Sequence, residues 1–259
     1  MEGYDESTYG RAFADVYDDW YGDDPRLDDL LSTVEALTRS IEGPLVELGA
    51  GTGRLTAPIA QRVPNRQIIA IDSSSEMLDR LKVREGCEHV DRVLGDMVDA
   101  VPPGPLALVL ASYNTVFNLV DDERQVELLR RIAGSLAEGG HLVIETEPPL
   151  DTDEDSSVSV RHMTADTVVL SVSRHLDDRR LEGHFIEMVN GDRTRLRPWS
   201  IRWFDHHELA TMVEAAGLEI AHHGADWPAD EDSFTPGPPV DRHGRRVTIL
   251  RRSMSSIRA

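Results

Sequence analysis

The segment Val46-Glu47-Leu48-Gly49-Ala50-Gly51-Thr52-Gly53-Arg54 constrains this chain more than any other. It follows a short apolar run, Pro44 to Leu48, that reads as a strand, and it leads into RLTAPIAQRV, which reads as a helix. Glycines between a strand and a helix let the backbone turn tightly and approach a ligand closely, while the first helical N–H groups point at whatever is negative. A nucleotide-type ligand is implied. A dinucleotide fingerprint would need glycine three positions after Gly51, where this chain has Arg54, so the spacing is G-x-G-x-G instead.

The segments that follow keep the same rhythm. QIIAID (67–72), HVDRVLGD (89–96), LALVLAS (106–112) and GGHLVIETE (139–147) read as strands, with helices over SSSEMLDRLK and DERQVELLRRIAGSLA between them. Near-continuous apolar strands alternating with helices predict a doubly wound, mostly parallel sheet covered on both faces. Ahead of the first strand, residues 9–20 and 26–41 space apolar side chains by three and four and predict two amphipathic helices.

From about residue 157 the period changes to two, with turn chemistry at Asp177-Asp178 and Asn190-Gly191-Asp192, and three or four antiparallel strands are expected. A helix over DHHELATMVEAAG, a strand over LEIAHHG, a Pro/Gly-rich and mobile loop from Trp227 to Pro239, and a last strand over RRVTILRR complete the reading. This gives one α/β domain over residues 1–259. A helical lid occupies 1–41, the ligand-binding core 42–150, an antiparallel β insertion 155–204, and a helix and strands completing a seven-stranded sheet 205–259.

With 47 acidic against 27 basic residues the formal net charge is −20, which repels phosphate backbones and anionic lipid heads, so neither nucleic acid nor a membrane is an expected partner. The single cysteine, Cys87, allows no internal disulfide or Cys-rich zinc site. With no leader-like segment and no apolar run of membrane-spanning length, a cytoplasmic protein is expected. An exposed edge of the insertion would offer a surface for a homodimer.

ELGAGTGR resembles the first motif of class I, Rossmann-like, S-adenosyl-L-methionine (SAM) dependent methyltransferases, and further motifs follow in the family's order. The resemblance covers residues 40–147 best. It implies SAM as cofactor, with Asp72 at the end of the second strand binding both ribose hydroxyls. Asp96 takes the adenine amino group and Met97 packs on the ring, while Ala111, Ser112 and Tyr113 end the fourth strand where methionine moiety and substrate meet. Glu47, Gly49, Ala50, Gly51, Arg54, Ser73 and Met77 complete the expected cofactor set. The N-terminal stretch YGRAFADVYDDWY resembles the helix that closes over SAM and substrate in small-molecule methyltransferases of secondary metabolism, sugar N-methyltransferases among them.

The implied reaction is in-line methyl transfer to an oxygen or nitrogen of a small molecule, by positioning and general-base help where needed. Candidate catalytic groups are Tyr113, Glu145 and His162, with Glu147, His175 and His184 behind them. Expected substrate contacts are Tyr9, Arg11 and Tyr17 from the lid, Asn114, and Arg161, Arg197, Trp199, Arg202 and Trp203 from the insertion. No metal is expected, because neither His206-His207 nor His222-His223 has the i, i+4 spacing of a helical metal site. Two alternatives are weighed beside this reading: an NAD(P)-dependent oxidoreductase, which the missing glycine and absent Tyr-x-x-x-Lys element disfavour, and a non-catalytic SAM-binding module.

Overall fold

The computed structural model describes residues 1–259 apart from 23, 150–154, 178, 236–243 and 254–259. The chain opens with α1 (Thr8–Phe13), α2 (Tyr17–Tyr21) and α3 (Leu27–Thr38). It continues through β1 (Leu45–Leu48), α4 (Thr56–Arg62), β2 (Ile68–Asp72), α5 (Ser75–Val83), β3 (Asp91–Leu94), β4 (Leu106–Ala111), α6 (Asp122–Ser135) and β5 (Leu136–Thr146). The insertion holds β6 (Ser156–Met163), β7 (Thr167–His175), β8 (Arg180–Val189) and β9 (Arg195–Arg202), and α7 (His206–Ala215), β10 (Leu218–Gly224) and β11 (Arg246–Arg252) follow it.

Seven strands form one sheet in the order β10-β11-β5-β4-β1-β2-β3, with β11 antiparallel to both of its neighbours and β1 to β5 parallel. This is the mostly parallel, doubly wound seven-stranded sheet expected from the sequence. All four residues of β1 and all six of β4 are buried, so each packs on both faces. Residues of α3, α4 and α5 form one core layer and residues of α6 and α7 the other. Local chemistry fixes the helix starts: Ser74 accepts from Met77 N–H, and Asp205 with Glu208 forms a capping box at α7. The chain winds outward from β1 to β3 and returns to place β4 beside β1, so a crevice opens at the carboxyl ends of β1 and β4.

The insertion is a separate four-stranded antiparallel sheet in the order β6-β7-β8-β9. It leans on the N-terminal helices, with β9 against α1. Close approaches tighten each side of that contact: a Cβ on Gly183 would fall 2.6 Å from the Trp199 ring within the insertion, and one on Gly10 would fall 2.3 Å from Ser74 Cβ, between α1 and the start of α5.

Two sequence expectations need correction. The helix expected over 9–20 is broken at Ala14–Val16, because the Arg197 guanidinium takes the carbonyl of Ala12 and the carboxylate of Asp15, diverting a carbonyl the helix would have used. The loop from Trp227 is less free than its composition suggests: Trp227 is buried against α3 and the sheet, and Glu231–Ser233 makes a capped 3-10 turn. Residues 236–239 of that loop, and Asp178 of the expected turn, lie outside the described residues.

Candidate active site

The glycine turn is built as its sequence demands. Gly49, Gly51 and Gly53 have φ of +62°, +57° and +81°, which side-chain-bearing residues rarely adopt. Gly51 donates its N–H to Asp72 Oδ2 at 2.8 Å, and Ser74 N–H donates to Asp72 Oδ1 at 2.9 Å, so the end of β2 holds the turn after β1. Burial raises the Asp72 pKa against these donors. Under the turn, Glu47 accepts from the Thr56 hydroxyl at 2.6 Å, and burial pushes its pKa up to about 7.

Above this turn lies a cavity of about 490 Å³, in the range of small-molecule sites. Its floor is the carboxyl edge of the sheet: Gly49, Gly51, Ile71, Asp72, Ser73, Gly95, Asp96, Met97, Tyr113, Asn114, Glu145 and Glu147, with Met77 from α5. Tyr4, Glu6, Tyr9, Gly10, Tyr17 and Tyr21 of the N-terminal segment form one wall, and Phe185, Trp199 and Ile201 of the insertion another. Burial pushes the hydroxyls of Tyr4 and Tyr17 up to about 12, so both remain neutral phenols at physiological pH.

At the end of β4, Tyr113 and Asn114 have φ of +51° and +64°, strained values for residues with a Cβ. The strain is held from every side. Tyr113 N–H donates to Glu145 Oε2 at 3.2 Å, Asn114 N–H to the Glu145 carbonyl at 3.1 Å, and Glu147 N–H to Asn114 Oδ1 at 2.6 Å. The Tyr113 ring lies between the guanidinium groups of Arg54, at 4.3 Å, and Arg245, at 5.0 Å, and its hydroxyl donates to Asp24 Oδ2 at 2.7 Å. Burial and that donated bond push the Tyr113 pKa up, so the hydroxyl keeps its proton. The buried Glu145 carboxylate sits between Arg26 at 3.3 Å and Arg245 at 3.1 Å, and burial pushes its pKa up.

Of the expected cofactor residues, Gly49, Gly51, Asp72, Ser73, Met77, Asp96, Met97 and Tyr113 line the cavity, while Glu47, Ala50, Arg54 and Ala111 lie behind its lining. Tyr9, Tyr17, Asn114 and Trp199 line it from the expected substrate set. The others are elsewhere. Arg202 is buried in ion pairs with Asp122 and Glu208 that pin the end of the insertion to α6 and α7. Trp203 packs on the core under the Arg179 guanidinium, which lies 4.2 Å from its ring. Arg11 lies in a separate surface crevice and bonds Ser7 and Thr8. His162 is exposed on β6, Arg161 beside it sits on rings, and Arg197 is consumed by Asp15 and Glu187. Alternation explains Arg202: Trp199 and Ile201 of β9 face the cavity, which turns Arg202 to the opposite face, whereas Trp203 lies beyond the end of the strand.

The sequence reading missed Glu6, Phe185, Ile201 and Arg245, while Tyr4 and Tyr21 belong to the ring-rich N-terminal segment expected as the lid. A signal for Arg245 existed: a last strand running antiparallel beside β5 begins where β5 ends, and Arg246 is paired with Thr146. Among the described residues there is no group of three or more His, Cys, Asp or Glu that could hold a metal ion, and no helix long and apolar enough to cross a membrane.

Residues 45–140 match a family described as "Methyltransferase domain". Over 219 residues the chain is 26% identical to a cypemycin N-terminal methyltransferase of a Streptomyces species, covering 83% of this chain and 85% of that one. It is 33% identical over 123 residues to a trans-aconitate 2-methyltransferase of Sinorhizobium fredii, covering 48% of this chain and 44% of the relative. Among solved structures it superposes on the CcbJ methyltransferase of Streptomyces caelestis with a TM-score of 0.83 and 28% identity, over 96% of this chain and all of that one.

Proposed function

We propose that this chain, a SAM-dependent methyltransferase, methylates an amine nitrogen of a small molecule or of a flexible chain end. The charge of the cavity is the observation that carries this reading. Glu6, Asp72, Asp96, Glu145 and Glu147 line it, and the one cation among the described lining residues, Arg245, is already within 3.0 Å of Asp24 and 3.1 Å of Glu145. Carboxylates and aromatic faces together attract an ammonium group and repel a carboxylate acceptor. The cypemycin enzyme's name also specifies an N-terminus, and its match spans 83% of this chain, against 48% and 70% for two trans-aconitate 2-methyltransferases, whose acceptor is anionic.

The lining fits SAM. Each Asp72 oxygen accepts one N–H and keeps a lone pair for a ribose hydroxyl. Asp96 commits Oδ1 to Val98 N–H and Arg124, leaving Oδ2 for an adenine amino group, with Met97 and Ile71 as flat apolar neighbours. Bound SAM supplies a methyl group on a positive sulfonium, which leaves as a neutral thioether when the nitrogen lone pair forms the new N–C bond. The chain's residues hold the amine, keep water out and take the proton that the alkylated nitrogen sheds. Glu147 is suited to accept that proton, since its carboxylate is exposed and has no side-chain partner among the described residues. Glu145 is tied between two arginines, and the Tyr113 hydroxyl is a donor.

We propose also that a second copy covers the outer face of the insertion. Val158, Val160, Met163 and Leu196 are 59–69% exposed there, and β6 presents an unpaired edge without the Lys, Pro or acid that guards the edge strand of a monomer. The free, buried thiol of Cys87 fits a cytoplasmic setting. Incubation with SAM and matched sets of primary amines, alcohols and carboxylic acids, read by mass spectrometry, tests the acceptor class. Transfer to amines alone is expected, and transfer to alcohols or acids at equal rates would overturn it.

A further inference from the structure

We propose that Trp20, Tyr21 and Phe185 form an aromatic box for an organic ammonium group of the acceptor, and that Arg161 occupies this box as a built-in stand-in until the acceptor displaces it. The Arg161 guanidinium carbon lies 5.2 Å from the Trp20 ring, 5.2 Å from the Tyr21 ring and 4.8 Å from the Phe185 ring. Each is within cation–π range. Trp20 and Phe185 meet edge to face at 5.7 Å and 90°, giving a corner instead of a flat stack. Tyr21 and Phe185 also line the cavity, so the box opens onto the site that holds the reacting groups.

Arg161 is held by rings alone. Among the described residues it has no carboxylate partner and no hydrogen bond, although the protein carries 20 more acidic than basic side chains. Arg197, which also lies over Trp20 at 5.3 Å, shows the contrast: it is 4% exposed and fixed by Asp15 and Glu187, a structural cation. Arg161 stands on β6, an edge strand exposed along its whole length, at the point where the pairing with β7 slips between Val160 and His162. A bulge of this kind aims one side chain and leaves its backbone unpaired. A guanidinium held this way returns to water at little cost when another cation takes its place. The box also joins α2 of the N-terminal segment to β8 of the insertion, so exchanging its occupant changes what holds the two walls of the cavity together.

This inference rests on the amine reading above, and binding without SAM separates the two. Choline and its uncharged isostere 3,3-dimethyl-1-butanol serve as probes, measured by calorimetry on the full chain and on Arg161→Ala, Arg161→Lys and Arg161→Ala/Phe185→Leu. Removing the internal competitor should tighten choline about tenfold in Arg161→Ala and leave the neutral alcohol unchanged. Arg161→Lys should behave as the parent, and Phe185→Leu, which stays apolar but removes the ring face, should cancel the gain. Equal choline affinity in parent and Arg161→Ala, an equal gain for the neutral alcohol, or a gain that survives Phe185→Leu would each overturn the proposal. Choline nitrogen has no lone pair to methylate, so its failure to bind beside continued methylation of amines would sink the box and leave the amine reading standing.

Discussion

The backbone N–H of Gly51 points at Asp72 Oδ2 across 2.8 Å, so the acid expected to meet the ribose also fixes the glycine turn that meets the rest of the cofactor. Asp72→Ala removes both supports. SAM binding should weaken by about 2 to 4 kcal/mol with the fold retained. Asp72→Asn, which still offers one acceptor, should fall between. Calorimetric affinity of the alanine variant equal to the parent's would show that Asp72 holds the turn only.

The hydroxyl of Tyr113 donates to Asp24, which also faces Arg245 at 3.0 Å. Tyr113→Phe keeps the ring between its two guanidinium groups and deletes one bond, so stability should fall by about 1 to 2 kcal/mol while kcat changes little. A base in the reaction would behave otherwise. A loss of kcat by about 10²-fold or more would restore the catalytic role that the sequence suggested.

Glu145 and Glu147 stand two residues apart and should respond in opposite ways. Glu145→Gln leaves Arg26 and Arg245 short of a buried counter-charge and should cost stability, about 3 kcal/mol, read as a lower melting temperature. Glu147→Gln should melt as the parent does and lower kcat, by about 10²-fold if proton removal limits the rate. Parent-like kcat at every pH in Glu147→Gln would exclude it as the proton acceptor.

Burial pushes the pKa of His141, His206 and His222 down, and that of His223 to about 4 from an ordinary 6.5. In each case the folded state resists a proton that the unfolded chain accepts, so this contribution is intact above pH 6.5 and is lost as pH falls toward 4. His223 also shares a 2.8 Å bond with the Thr248 hydroxyl that glutamine can imitate. His223→Gln should therefore lose fewer degrees of melting temperature than the parent between those limits, and parallel curves would remove His223 from the account.

Val160 is 59% exposed on the outer face of the insertion, close to the unpaired edge of β6. Val160→Asp places a like charge on both sides of a two-fold interface there, and light scattering should show the mass of a monomer where the parent shows a dimer. A monomeric parent would refute the interface.

The order of strands and helices, the glycine turn, and the acids at the ends of the second and third strands were legible in the sequence because each is a local matter. Alternation of apolar runs predicts the layers, and the carboxyl ends of parallel strands border the crevice in any open sheet of this kind. What faces the cavity from the insertion was not local. Direction on a strand reverses with a shift of one residue, so Ile201 and Trp199 enter the cavity while Arg202, next in sequence, is drawn to Asp122 and Glu208 on other helices. Arg245 is far from Glu145 and Tyr113 in sequence and reaches them only because the last strand folds back beside β5. The break between α1 and α2 likewise belongs to Arg197, a residue of the insertion that claims the Ala12 carbonyl. Short-range patterning set the scaffold and the cofactor face, whereas the docking of one sheet and one N-terminal segment against that scaffold decided which side chains meet the acceptor.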